Sequence, residues 1–141
     1  MKVSTRNVFP GTVAKVTKGA VNSEVELDTK GGGKIVAIIT NASVDNLQLK
    51  AGKEASALIK ASWVILGTEL HKVKMSTRNL LCGIVERVQE GAVNSEVQIK
   101  LAGGDLLTAI ITNASLHSLG LRKGEHACAA FKASSVIVAV E

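Results

Sequence analysis

GAVNSEV stands at residues 19–25, and the same seven letters return at residues 91–97. AIITNAS repeats likewise, at 37–43 and 109–115. Both pairs are 72 residues apart, and that one shift aligns the chain with itself without a gap. Ser4-Thr5-Arg6-Asn7 falls on Ser76-Thr77-Arg78-Asn79, and Lys60-Ala61-Ser62 on Lys132-Ala133-Ser134. About half of the aligned positions are identical. Self-similarity at a fixed period marks a repeated structural unit. The chain divides into copies at residues 2–68 and 74–140, joined by a linker at 69–73. A unit this small buries proportionally little surface, so the copies are expected to pack on each other and to build a closed oligomer.

Composition narrows the class. Apolar residues make up 46% of the 141, which is enough for a globular core. No apolar run approaches the ~20 residues of a membrane helix. Met1-Lys2-Val3 leads straight into the first copy, so no secretory signal is expected. Cys82 and Cys128 read as separate thiols, in keeping with a reducing cytoplasm. The net charge of +5 is spread out, with nine Lys/Arg against six Asp/Glu in residues 1–69 and seven against six in residues 73–141. This is a mildly basic surface rather than a nucleic-acid stripe or tail.

Hydrophobic spacing predicts an all-β chain with one short helix per copy. Strands are expected over 11–16, 20–27, 35–39, 55–60 and 64–66, with Val21, Val25 and Leu27 sharing one face. Thr29 to Lys34 reads as a Gly-rich hairpin turn. Thr40-Asn41-Ala42-Ser43 reads as a helix start, with the helix ending near Leu47. Five strands with a helix between the third and fourth outline an OB-type barrel, twice.

A function carried by both copies should use residues found in both. His71 lies in the linker, while His117 falls on Asp45 and His126 on Glu54. Cys82 falls on Pro10 and Cys128 on Ser56. A His/Cys metal site or a Cys nucleophile is therefore not expected, and no ligand spacing suggests one. Gly31-Gly32-Gly33 lacks the Lys-Ser/Thr and helix of a phosphate loop. The repeated polar residues are Ser4, Thr5, Arg6, Asn7, Asn22, Ser23, Thr40, Asn41, Ser43, Lys60 and Ser62, with their partners 72 later. They are mostly donors, which suits an anion that can only accept hydrogen bonds. Arg and Lys add charge-assisted bonds, and the amides at Thr40 add further donors. Each residue also has a plain structural reading: capping for Thr40 and Ser43, a tight turn for Gly19-Ala20, a solvated strand end for Lys60. Glu24 projects beside Asn22 and disfavours an anion there unless an Arg or Lys offsets it.

Taken together, S-x-R-N, GAVNSEV, AIIT-x-x-S, L-x-L-x-x-G and K-A-S before a Val-Ile strand resemble the Mop domain of the molbindin family, over almost the whole chain and twice. The resemblance implies two tandem OB-like Mop barrels in a cytoplasmic protein that binds molybdate and tungstate, for storage or homeostasis. It implies no enzyme activity, no cofactor and no directly coordinated metal. Six Mop domains would assemble, making a homotrimer of this chain with oxyanion sites between subunits. The first kind of site would use Ser4, Thr5, Arg6, Thr40, Ser43, Lys60, Ala61 and Ser62, and in the second copy Ser76, Thr77, Arg78, Thr112, Ser115, Lys132, Ala133 and Ser134. The second kind, near a three-fold axis, would use Gly19, Ala20, Val21 and Asn22, with Gly91, Ala92, Val93 and Asn94. Many family members carry Pro where Ser62 and Ser134 stand. No ATPase or DNA-binding segment is evident, so the likeness is to the free-standing binder, with neither nucleic acid nor membrane as partner. Two rivals are an OB-type nucleic-acid module, which would stack bases on aromatic residues, and a structural β oligomer without ligand. Only Phe9, Phe131 and Trp63 are available for stacking, and none is aromatic in both copies.

Overall fold

A computed structural model describes residues 1–141. The first copy forms β1 (Asn7–Lys18), β2 (Asn22–Thr29), β3 (Lys34–Thr40), α1 (Asn41–Asn46), β4 (Glu54–Ile59) and β5 (Ile65–Gly67). The second forms β6 (Asn79–Glu90), β7 (Asn94–Leu101), β8 (Leu106–Thr112), α2 (Asn113–Leu119), β9 (His126–Phe131) and β10 (Ile137–Ala139). The chain is mostly β, with few and short helices. Thr40 caps α1 by accepting a hydrogen bond from the Ser43 amide, and Thr112 caps α2 through Ser115 in the same way.

Alternation builds the inner faces. Ser23, Val25, Leu27 and Thr29 of β2 are buried, whereas Asn22, Glu24 and Glu26 face outward. Val21, expected on the inner face, lies before the strand starts and is 70% exposed. β1 pairs with β2 through its C-terminal part and with β4 through its N-terminal part. Gly11 sits where the two pairings overlap. A Cβ there would lie 2.2 Å from the Asp28 carbonyl oxygen, and one on Gly83 would lie 2.1 Å from that of Lys100. Just beyond, both long strands carry a register shift, between Val13 and Lys15 and between Val85 and Arg87. Such bulges sharpen the twist that curls a sheet.

The two sheets do not coincide with the two sequence copies. Their strand orders are β10-β4-β1-β2-β3 and β5-β9-β6-β7-β8. Each copy's last strand crosses over and pairs with the other copy's fourth: Ile137 faces Leu58, and Ile65 faces Ala130. A 3-10 turn at Ala61–Trp63, and its counterpart at Ala133–Ser135, directs the chain across. The exchange covers a strand edge in each sheet. It also merges the interiors, since a single cluster of 25 buried apolar residues draws on both copies. The β2–β3 and β7–β8 hairpins meet as well: a Cβ on Gly103 would lie 1.5 Å from the Gly31 carbonyl oxygen.

One expectation about the cysteines is corrected. Cys82 and Cys128 are not separate thiols but are joined by a disulfide. The cause is register: β6 and β9 are antiparallel and set the two residues directly opposite each other.

Candidate functional site

Ser4-Thr5-Arg6 enters β1, and Lys60-Ala61-Ser62 leaves β4. Because Asn7 pairs with Ile59, the two segments run side by side. Together they line a groove of about 400 Å³. Its apolar wall is Leu58 with Ile110 and Ile137, so the second copy contributes to it. No carboxylate lines it. The backbone amides of Ser4, Thr5, Arg6 and Lys60 lie outside every strand and helix and make no backbone hydrogen bond. The Lys60 ammonium sits 5.8 Å from the centre of the Trp63 ring, a cation–π distance that steadies its long side chain. In the second copy Asn79 faces Phe131, and Ser76-Thr77-Arg78 and Lys132-Ala133-Ser134 are brought together in the same way.

Several side chains of this set have other duties. The Thr5 hydroxyl donates to the Ile59 carbonyl at 2.7 Å, and that of Thr77 to the Phe131 carbonyl at 2.6 Å. Arg6 reaches across to Glu96 at 2.5 Å, and Arg78 to Glu24. Each repeated carboxylate is thus offset by an arginine of the opposite copy. Asn7 and Asn79 drop out as anion donors. Each is fully buried and pairs with a backbone strand of the other copy: Asn7 with Thr108 N–H and C=O at 2.8 and 2.7 Å, Asn79 with Val36 N–H and C=O at the same distances. They stand among the repeated polar residues, because a repeated Asn at a strand start carries no mark of which strand it meets.

Thr40 and Ser43 are not at the groove. The Thr40 hydroxyl donates to Ser43 Oγ at 2.9 Å while accepting from the Ser43 amide at 3.1 Å. Thr112 and Ser115 repeat both bonds. Ser115 lines a different cavity, beside Ile65 and Ser118. Neither the Thr40–Ser43 nor the Thr112–Ser115 segment lines the groove, although β8, which leads into Thr112, lends Ile110 to its wall.

A second donor cluster is the β1–β2 turn. Gly19 N–H bonds to the Asn22 carbonyl at 2.8 Å and closes a tight loop. Ala20, Val21 and Asn22 are exposed at its tip, and the Ala20 and Val21 amides make no backbone hydrogen bond. The loop is tied to the helix start. Asn41 donates from Nδ2 to the Gly19 carbonyl at 2.9 Å, its amide donates to the Val21 carbonyl at 2.8 Å, and its Oδ1 accepts from buried Ser23 Oγ at 2.5 Å. Gly91, Ala92, Val93 and Asn94 are held identically through Ser95 and Asn113. The two longest verbatim repeats, GAVNSEV and AIITNAS, are therefore one hydrogen-bonded unit that leaves two amides at an exposed tip without a backbone partner. In the linker, the hydrogen bond and charge of Lys72 hold the Glu69 carboxyl below its ordinary range, away from both clusters.

Known proteins share this arrangement. A family model described as the TOBE domain matches residues 3–66 and again residues 75–138. The chain belongs to the TOBE-domain family. Its two domains are of the Mop type, in tandem. Among TOBE-domain relatives, molybdenum transport protein ModE of Azotobacter vinelandii is 46% identical over 140 residues, 99% of this chain and 52% of that protein. Molybdenum-pterin-binding protein MopA of Rhodobacter capsulatus is 44% identical over 140 residues, 99% of this chain and 53% of that protein. The chain thus spans about half the length of these two relatives. A crystal structure of the cytoplasmic molybdate-binding protein ModG, with molybdate bound, is 46% identical and matches with a TM-score of 0.97, covering 100% of both chains.

Proposed function

We propose that this chain binds molybdate and tungstate in the cytoplasm, as a storage or homeostasis protein rather than an enzyme. The observation that carries the reading is the groove between Ser4–Arg6 and Lys60–Ser62, lined by amides, hydroxyls and cations with no carboxylate. Molybdate at neutral pH is a tetrahedral dianion that only accepts hydrogen bonds. Hydrogenphosphate also donates one and is best met by a carboxylate acceptor, which the groove lacks. The molybdate-bound ModG structure, alike along the entire chain, supports the same ligand.

The functional units are the sequence copies 2–68 and 74–140, and the sites form between subunits of a homotrimer. Thr40–Ser43 and Thr112–Ser115 complete the first kind of site from a neighbouring subunit, since their hydroxyls do not line the groove in their own chain. The turns at Gly19–Asn22 and Gly91–Asn94 supply the second kind around a three-fold axis. Exposed Val21 and Val93 at the turn tips, with Trp63, Ile65 and Ile137 near the crossing strands, give such an assembly apolar surface to bury. The nucleic-acid alternative is disfavoured by position: Phe9 and Phe131 are in the core, leaving Trp63 alone exposed among the Phe and Trp side chains. The same pair of domains also makes up about half of relatives named as molybdenum transport or regulatory proteins, so this oxyanion module serves equally as part of a larger chain.

Calorimetric titration tests the selectivity. Molybdate and tungstate should bind far more tightly than phosphate at equal ionic strength. Equal affinity for phosphate would place an acceptor in the site and overturn the donor-only reading. Sedimentation of the ligand-free protein should give the trimer, whereas a stable monomer at micromolar concentration would remove the inter-subunit sites.

A further inference from the structure

The outer face of the second sheet gathers a set of side chains that the first lacks. His126 and Cys128 are two apart on β9 and so project to the same side. Ala127, Ala129 and Phe131 point the other way, into the core. Cys82 of β6 lies opposite Cys128 and is bonded to it. The linker turn Leu70–Lys72 delivers His71, whose Nδ1 is 3.9 Å from Cys128 Sγ. The two imidazoles meet edge to face with centroids 5.8 Å apart. The ligand atoms of His71, His126 and Cys128 all fall within 4.8 Å of one another. One sulfur and two imidazoles thus converge, and the disulfide holds the second sulfur beside the first.

We infer that reduction of the Cys82–Cys128 disulfide creates a Cys2His2 site for a zinc-class cation, with His71 and His126 as the nitrogen ligands. In the disulfide the sulfurs are poor ligands. A dithiol reductant supplies two electrons and two protons, leaves Cys82 and Cys128 as thiols, and itself closes to a disulfide. A divalent cation then displaces the two thiol protons and binds both thiolates. Zinc takes four such ligands tetrahedrally, at about 2.3 Å to sulfur and 2.0–2.1 Å to nitrogen. Ligand atoms around such an ion stand about 3.3–3.8 Å apart, so His71, His126 and Cys128 need closing movements of roughly 1 Å, while the two sulfurs move apart once their bond is broken. Both histidines are exposed and free to make them. A reducing compartment keeps such a cysteine pair as thiols, where metal binding is the usual use of a Cys/His cluster. The first copy has Pro10, Ser56 and Glu54 at the places of Cys82, Cys128 and His126, so there is one site per chain, separate from the oxyanion groove. Either the disulfide or the metal bridges β6 to β9, and the metal additionally fastens the linker that joins the copies.

Cobalt(II) is the probe, added to the intact full-length protein before and after treatment with a phosphine. The phosphine takes oxygen from water and leaves two thiols. Reduced protein should bind one cobalt per chain with thiolate-to-metal charge transfer and the intense visible bands of tetrahedral cobalt, and zinc should displace it. Oxidised protein should show neither. His71→Gln and His126→Gln, both at exposed positions, should keep the circular dichroism of the parent and weaken or abolish the visible bands. Absent bands in the reduced protein, equal bands in the oxidised protein, or unchanged bands in both histidine variants would each overturn the site.

Discussion

Lys18 and Asp45 form an ion pair at 2.5 Å in the first copy, and at the same two places the second copy has Glu90 and His117 at 2.7 Å. The polarity is reversed while the contact survives. Pro10 faces Ser56 across β1 and β4, and at the equivalent crossing the second copy has the Cys82–Cys128 bridge. These contacts are internal to one copy and have drifted as pairs. The polar side-chain contacts that cross between copies have not. Arg6–Glu96 and Arg78–Glu24 keep both letters, as do Asn7 and Asn79. Asn7 holds Thr108 and Asn79 holds Val36, two different residues, because only their backbone is read. A side chain that must fit a second copy, or a ligand, has no local partner with which to change. Verbatim repetition in this chain therefore has three origins: polar contacts across the copies, the internal bonds that tie GAVNSEV to AIITNAS, and the proposed anion sites.

The largest effect that can break this comparison is at the asparagines. Asn7→Ala or Asn79→Ala removes two hydrogen bonds and leaves a buried N–H and C=O without partners. At about 1–3 kcal/mol for each unsatisfied group, each substitution should cost on the order of 3 kcal/mol, read from urea unfolding midpoints. A loss below ~1 kcal/mol at both positions would mean that the crossing bonds are not what fixes the repeated Asn.

A smaller effect sharpens it. Ser23→Ala and Ser95→Ala each delete the bond to Asn41 or Asn113 that couples the two repeated motifs. Each should cost roughly 1 kcal/mol, and hydrogen exchange of the Gly19–Asn22 or Gly91–Asn94 amides should accelerate. Unaltered exchange would show that the turn is held without the serine.

The smallest effect belongs to the drifting pair. Lys18→Glu combined with Asp45→Lys reverses an exposed ion pair and should change stability by less than ~0.5 kcal/mol. A large loss in thermal unfolding would show that polarity there is constrained after all.

Local pattern made much of the fold readable. The run expected over 35–39 is β3 at Lys34–Thr40, the run over 55–60 is β4 at Glu54–Ile59, and the helix starts at the Thr40 cap. β1 begins at Asn7 rather than Gly11, since Asn7 to Thr12 pair with β4; the sequence hid this start because Val8-Phe9-Pro10 shows no alternation and Pro argues against a central strand. Strand exchange was not legible: Ile65-Leu66 reads as a strand whichever sheet it joins, and the deciding turn at Ala61–Trp63 shows no turn residue stronger than Ser62. The disulfide and the His71–His126 cluster were hidden because their members lie far apart in sequence and are missing from the first copy. Of the candidate site, the segments lining the groove were legible as repeated polar letters. The division of those letters between architecture and available donors was not, since it depends on whether each hydroxyl or amide already has a partner.

Equilibrium dialysis of molybdate tests the central claim most directly, on the parent protein, the Lys60→Ala/Lys132→Ala variant and the Asn22→Ala/Asn94→Ala variant, with the trimer checked by sedimentation. Losing a charge-assisted bond of roughly 1.5–3 kcal/mol should weaken the lysine class about ten- to a hundredfold. Each double variant should lower the number of tight sites by a different amount and leave the other class intact. Loss of all binding in either variant with the trimer preserved would contradict the two classes of site, and unchanged binding in both would leave the repeated polar residues as architecture alone.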